Sequence, residues 1–163
     1  MPRVLLLALA ISATLVASSL AFNEPVSFRG IPWKASEDSV RAMWPELRCH
    51  TSDHLYHWTR LCSTLDLVTI QGVPVKPTVG FRSNEFGYVA LTFGVAHFPT
   101  VEQFFVERYG PPTRQEQQPM VGPAGATVTN EVREWIGPKV SITLEKYGPS
   151  LTEGRARFQV TGL

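Results

Sequence analysis

From Leu65 onward the apolar residues recur with period two, and this restricts the fold more than any other feature. Leu65, Leu67 and Thr69 alternate with Asp66, Val68 and Ile70. Val73, Val75, Val79 and Phe81 share one face of a second run, and Gly87 to Gly94 form a third. Three more runs close the chain: Thr127 to Ile136, Lys139 to Tyr147 and Arg155 to Gly162. In the middle one Val140, Ile142 and Leu144 alternate with Ser141, Thr143 and Glu145. Successive side chains point to opposite faces of a strand, so such runs are half-buried strands. Gln71-Gly72, Arg82-Ser83-Asn84-Glu85, Gly137-Pro138 and Gly148-Pro149-Ser150 supply the turns between them. Pro74 and Pro77 confine the second strand to an edge or split it.

Only two segments change to helical spacing. Ser36 is an N-cap, with Glu37 and Asp38 in the first turn, where negative charge is favourable. Val40, Met43 and Trp44 make one apolar face, and Pro45 stops the helix after about two and a half turns. Further on, Thr100 with Gln103 reads as a capping box, with Val101, Phe104, Phe105 and Tyr109 on one face. Gly110 fits the C′ position and Pro111-Pro112 prevents continuation. His97 precedes this helix as a packed or capping residue. Residues 113–126, rich in Gln, Pro and Gly, read as a mobile loop. The order is helix, three strands, helix, three strands. The expected fold class is therefore α+β, an antiparallel meander with two short helices packed on one face. A faint echo between Met43-Trp44-Pro45 with Arg48 and Tyr109-Gly110-Pro111 with Arg114 suggests a duplicated helix–three-strand unit.

The N-terminus bears on where such a domain works. Met1-Pro2-Arg3 is a short positive start, Val4 to Val16 is almost wholly apolar, and Ser19 and Ala21 occupy the −3 and −1 positions of a cleavage site. Residues 1–21 therefore read as a secretory signal peptide, with residues 22–163 as a single α+β domain. The alternative is an uncleaved anchor, but a span needs about 20 predominantly apolar residues. After cleavage no stretch is long enough to span a membrane. Losing Arg3 takes the formal charge from +1 to zero. That balance, with no basic run, argues against nucleic acid as a partner. The expected setting is the periplasm or beyond.

In an oxidising compartment Cys49 and Cys62, the only two cysteines, read as a disulfide; a reactive thiol or a pair of metal ligands is the alternative. The ring they close holds His50, His54 and His57 with Asp53. Neutral imidazoles beside a carboxylate suit a zinc, copper or nickel ion, and incidental loop histidines are the plainer explanation. Four Trp and four Tyr are core material or, at Tyr56, Trp58 and Trp135, anchors for a partner. Arg133, Arg155 and Arg157 would line one polar sheet face. No Gly-x-Ser-x-Gly occurs, and Gly122-Pro123-Ala124-Gly125 lacks the lysine and helix of a phosphate loop. No cofactor signature is present in the sequence.

Phe28-Arg29-Gly30-Ile31-Pro32-Trp33, the short helix, the cysteine pair and a later helix ending Tyr109-Gly110-Pro111 resemble small exported bacterial proteins of unassigned function. More distantly, the helix-then-strands repeat is similar to the β-lactamase-inhibitor-protein fold and to the small lipoprotein of the outer-membrane barrel assembly machine. The lipoprotein's lipid-attachment cysteine has no counterpart here. The resemblance implies a non-catalytic binding module, engaging a protein or envelope component through an open sheet face or the 113–126 segment. The alternative is a periplasmic metal-binding protein built on His50, His54 and His57.

Overall fold

The computed structural model describes residues 21–52, 58–122, 125 and 127–163. A two-stranded hairpin, β1 (Ser27–Phe28) and β2 (Ile31–Pro32), leads into helix α1 (Glu37–Met43). Five strands follow: β3 (Arg48–Thr51), β4 (Arg60–Ser63), β5 (Val68–Ile70), β6 (Val73–Arg82) and β7 (Glu85–Gly94). A single 3-10 turn joins β7 to helix α2 (Phe98–Tyr109). The chain ends with β8 (Arg114–Val121), β9 (Thr127–Ile136), β10 (Val140–Ser150) and β11 (Glu153–Val160). The main sheet is antiparallel, in the order β3-β4-β6-β7-β11-β10-β9-β8, with β5 paired to β6 alone.

The α+β class and the meander hold. The sheet order places two meanders back to back, each led by one helix, with their final strands β7 and β11 paired at the centre. The repeated outline is a helix with four strands in the main sheet rather than three. The sequence reading lacked β3 and β4, hidden in the cysteine ring, and β8. Residues 114–121 are not a mobile loop. They form an edge strand in register with β9 from Arg114 opposite Glu134 to Val121 opposite Thr127. Their polarity reflects exposure, and Pro119 is tolerated because an edge strand has one unpaired side.

Three hairpins turn through left-handed residue pairs: Arg29-Gly30 (φ 52° and 79°), Gln71-Gly72 (46° and 80°) and Ser83-Asn84 (51° and 66°). Two-residue turns of this hand match the twist of the strands they join. β6 is one continuous interior strand despite its prolines. β5 covers it over residues 73–75 and β4 over 78–81, while β7 begins pairing only at Lys76. Pro74 thus lies beyond the end of β7's pairing, and Pro77 falls in the break between β5 and β4. Each proline meets a side of the strand that asks for no donor. Gly148 and Pro149 do not form the final turn. They sit in an irregular stretch of β10 between Glu145 and Ser150. There Asn130 substitutes for a strand neighbour, donating to the Tyr147 carbonyl (3.0 Å) and accepting from its N–H (2.8 Å).

Both helices lie on one face of the sheet. Ser36 caps α1, its hydroxyl accepting from the Ser39 N–H. Val40 and Trp44 are buried, whereas Met43 is exposed. α2 starts three residues earlier than the Thr100 box predicts, because Pro99 fits the first turn, where its missing N–H is not needed. His97 precedes it exposed, with no capping hydrogen bond from its side chain. Phe98, Val101, Phe105 and Tyr109 face inward. They meet Trp135, Ile142, Leu144, Ala156 and Phe158 in one aromatic-rich core. Phe105 alone lies within 5.8 Å, ring centre to ring centre, of Tyr109, Trp135 and Phe158. Asn23 and Glu24 tie the N-terminal segment across this layer. The Asn23 N–H donates to the Tyr109 carbonyl (2.9 Å), and Glu24 Oε1 accepts from the Lys139 and Val140 N–H groups.

Candidate binding cleft

On the helix face an open cleft of about 730 Å³ lies between the β1–β2 turn, the end of α1, β5 and α2. That volume suits a small ligand or a few residues of a peptide. Its floor is core: Phe105, Phe158 and Leu91. Its rim carries Met43 and Leu67, 57% and 59% exposed, next to Leu65 at 95%. These three are among the most exposed large apolar side chains of the described residues, and they gather at one place instead of being scattered singly.

The cleft exists because the sheet has a gap there. β4 and β5 follow one another along the same strand, β6, separated by the loop through Thr64–Leu67, where the Asp66 N–H donates to the Thr64 hydroxyl (3.0 Å). β3 lies beside β4 as far as Arg48, opposite Ser63. Going backwards from Arg48, the chain would next run alongside β5. Instead it leaves the sheet through Pro45 and Trp44 into α1, and Arg48 holds that departure by donating to the Pro45 and Leu47 carbonyls (3.2 and 3.3 Å). Among the described residues, β5 is left with β6 as its one strand neighbour.

Two arginines flank this gap. Arg29, on the β1–β2 turn, stacks over Trp44 at 4.7 Å from the ring centre. Arg108, in the last turn of α2, lies 5.9 and 5.8 Å from the Phe104 and Tyr109 rings. Among the described residues neither guanidinium is in an ion pair. Elsewhere, Arg60 pairs with Glu37, Arg114 with Glu116 and Glu134, Arg133 with Glu102 and Glu131, and Arg155 and Arg157 with Glu145. Stacking on Trp44 fixes the plane of the Arg29 guanidinium and leaves its N–H edge for a planar anion. Burial pushes the Tyr109 phenol above its ordinary value, and the neighbouring Arg108 pulls the other way. Glu46 and Asp66 also line the cleft, both exposed.

The residues singled out from sequence lie elsewhere. Cys49 and Cys62 face each other across β3 and β4 and are disulfide-bonded. Their sulfurs and a Glu37 oxygen lie within 4.8 Å of one another. Bonded sulfurs are not thiolate ligands, however, and Glu37 is held bidentate by Arg60 at 2.7 and 3.0 Å. His50 is exposed on β3. Asp53, His54, Tyr56 and His57 fall outside the described residues. Trp58 and Trp135 are not exposed anchors. Trp135 is fully buried and donates to the Gly110 carbonyl (2.7 Å); Trp58, 5% exposed, packs on Tyr88 with ring centres 5.4 Å apart. A tryptophan at an inward strand position joins the core, and the missing register at residue 135 concealed that.

Arg133, Arg155 and Arg157 do not share a face. Strand pairing puts Arg133 beside Leu144 on the helix side, and Arg155 and Arg157 beside Glu145 and Thr143 on the other. Arg29, Arg108 and Thr69 were not legible as a group. The residues that adjoin the cleft come from four separate elements. Among the described residues, no helix is long and apolar enough to cross a membrane.

No family model matches the chain, and neither the curated proteins nor the solved structures yield a significant match.

Proposed function

We propose that the chain is an exported, non-catalytic binding domain of the bacterial cell envelope, and that it holds its partner in the cleft between α1 and α2. The observation that carries this is a pair of arginines, Arg29 stacked on Trp44 and Arg108 beside Phe104 and Tyr109, outside any ion pair among the described residues, over an aromatic floor edged by exposed Met43 and Leu67. The signal-like residues 1–21 and the Cys49–Cys62 bridge support export.

The test places a photoreactive phenylalanine at Leu67, and in a second strain at Thr143 on the opposite face, in cells exporting the chain. A discrete cross-link at Leu67 and none at Thr143 is expected. Cross-links at Thr143 alone, or at neither position, overturn the assignment. Intact mass of the recovered protein, expected to begin at Phe22 and to lack two hydrogens, checks the compartment.

A further inference from the structure

Resting on that reading, we infer that the cleft's occupant is a short extended peptide bearing acidic side chains, added as a strand along the open edge of β5. The Gln71-Gly72 turn closes on Ile70 opposite Val73, so in a two-residue hairpin that pair exchanges both backbone hydrogen bonds. Pairs alternate along an antiparallel ladder, which makes Thr69 opposite Pro74 a non-hydrogen-bonded pair. Pro74, with no N–H, is consistent with that place. The Thr69 N–H and C=O therefore point away from β6, into the gap where the chain before β3 leaves the sheet. Thr69 is exposed and lines the cleft. A strand-shaped space bordered by a free backbone edge is filled most economically by another strand, the mode in which main-chain hydrogen bonds give affinity and alternate side chains give specificity.

Charge selects which peptide. A residue on the added strand's helix-facing side meets Arg29 on Trp44 and Arg108 on Phe104, and a carboxylate accepts two hydrogen bonds from such a fork. Between acids, an apolar side chain covers Phe105 and Phe158. Glu46 and Asp66 disfavour acids near β5 itself, so the sequence is amphipathic with period two and not uniformly acidic.

The probe is N-acetyl-Glu-Thr-Val-Thr-Glu-amide, which places both acids and the valine on one face. Three comparison peptides accompany it: one with both Glu changed to Lys, one N-methylated at the central valine, and one with the order scrambled. Amide exchange at Thr69 is followed by NMR on the intact processed protein, with binding measured by calorimetry. The Thr69 amide is expected to exchange fast in the free protein although inside a strand, and to slow at least tenfold with the probe. The Lys and N-methyl peptides are expected to bind at least tenfold more weakly, as are the exposed-site variants Arg29→Ala and Arg108→Ala toward the probe. Binding without slowing at Thr69, equal binding of the Lys peptide, or no binding at millimolar probe each overturn strand addition. A cross-link at Leu67 combined with any of those results leaves the binding domain standing and removes only its peptide.

Discussion

Arg155 and Arg157, half-buried on one side of the sheet, and Arg29 and Arg108, exposed on the other, are treated in opposite ways. On the face without helices, Glu145 accepts from both arginines, at 2.9 and 3.1 Å from Arg155 and 3.1 Å from Arg157. The surrounding positions are Ser141, Thr143, Thr92 and Thr78, side by side across the strands. On that surface the two arginines are paired with an acid of the same face. Around the cleft, the rings that position the arginines cannot neutralise them. The lesson is that an arginine's neighbours, more than its presence on a sheet face, say whether it is available to a partner.

The sharpest way to break the comparison is to remove the core that separates the two faces. Trp135→Ala is expected to cost about 3–5 kcal/mol in denaturant unfolding, whereas Thr143→Ala, on the far side of the neighbouring strand, changes stability by less than about 1 kcal/mol. Next comes the edge: Cys49→Ser with Cys62→Ser is expected to lose about 3 kcal/mol, measured against the oxidised protein.

The arginines themselves follow. Glu145→Ala leaves two guanidinium groups without their acceptor and is expected to lower stability by about 1–2 kcal/mol. Arg29→Gly relieves a left-handed backbone (φ 52°) while losing the stacking on Trp44. These effects are each about 1 kcal/mol and opposite in sign, so unfolding is expected to shift by no more than about 0.5 kcal/mol. A loss at Arg29 as large as that at Glu145 would erase the distinction between structural and available arginines.

The smallest effect is in acid. The hydrogen bond from Lys146, helped by Arg133, holds the Glu131 carboxyl below the usual glutamate range. A lowered folded value means that the ion pair stabilises above the ordinary carboxylate pKa and that this is lost as pH falls through the lowered one. Comparing unfolding at pH 6 and pH 3, the native chain is expected to lose about 0.3 kcal/mol more than Glu131→Gln, the partial exposure of the pair limiting the difference.

Much of the architecture was legible. Alternation at Val140, Ile142 and Leu144 located a strand and its buried face, and Ser36, Gly110 and the proline pair bracketed the helices. What failed has a physical pattern. Arg114–Val121 looked like a loop because an edge strand with both faces wet has no alternation to show. Gly148-Pro149 looked like a turn because an irregular strand and a tight turn use the same residue types. Trp58 and Trp135 were ambiguous because composition says that a tryptophan is large, and only register says which way it points. The cleft was hidden most deeply. It is defined by a strand that is absent next to β5, and no residue encodes an absence locally.

Pro74 and Pro77 have one more consequence. In an antiparallel sheet, slipping a strand by one residue exchanges its inward and outward side chains, yet the slipped ladder can otherwise form as many hydrogen bonds as the correct one. With two prolines seated where partners stop, β6 has a second discriminator. A slipped neighbour would align a ladder acceptor with a ring nitrogen that has nothing to donate. The prolines therefore act as notches in a key: they cost nothing in the one alignment that the fold uses, and they penalise its nearest competitors during assembly.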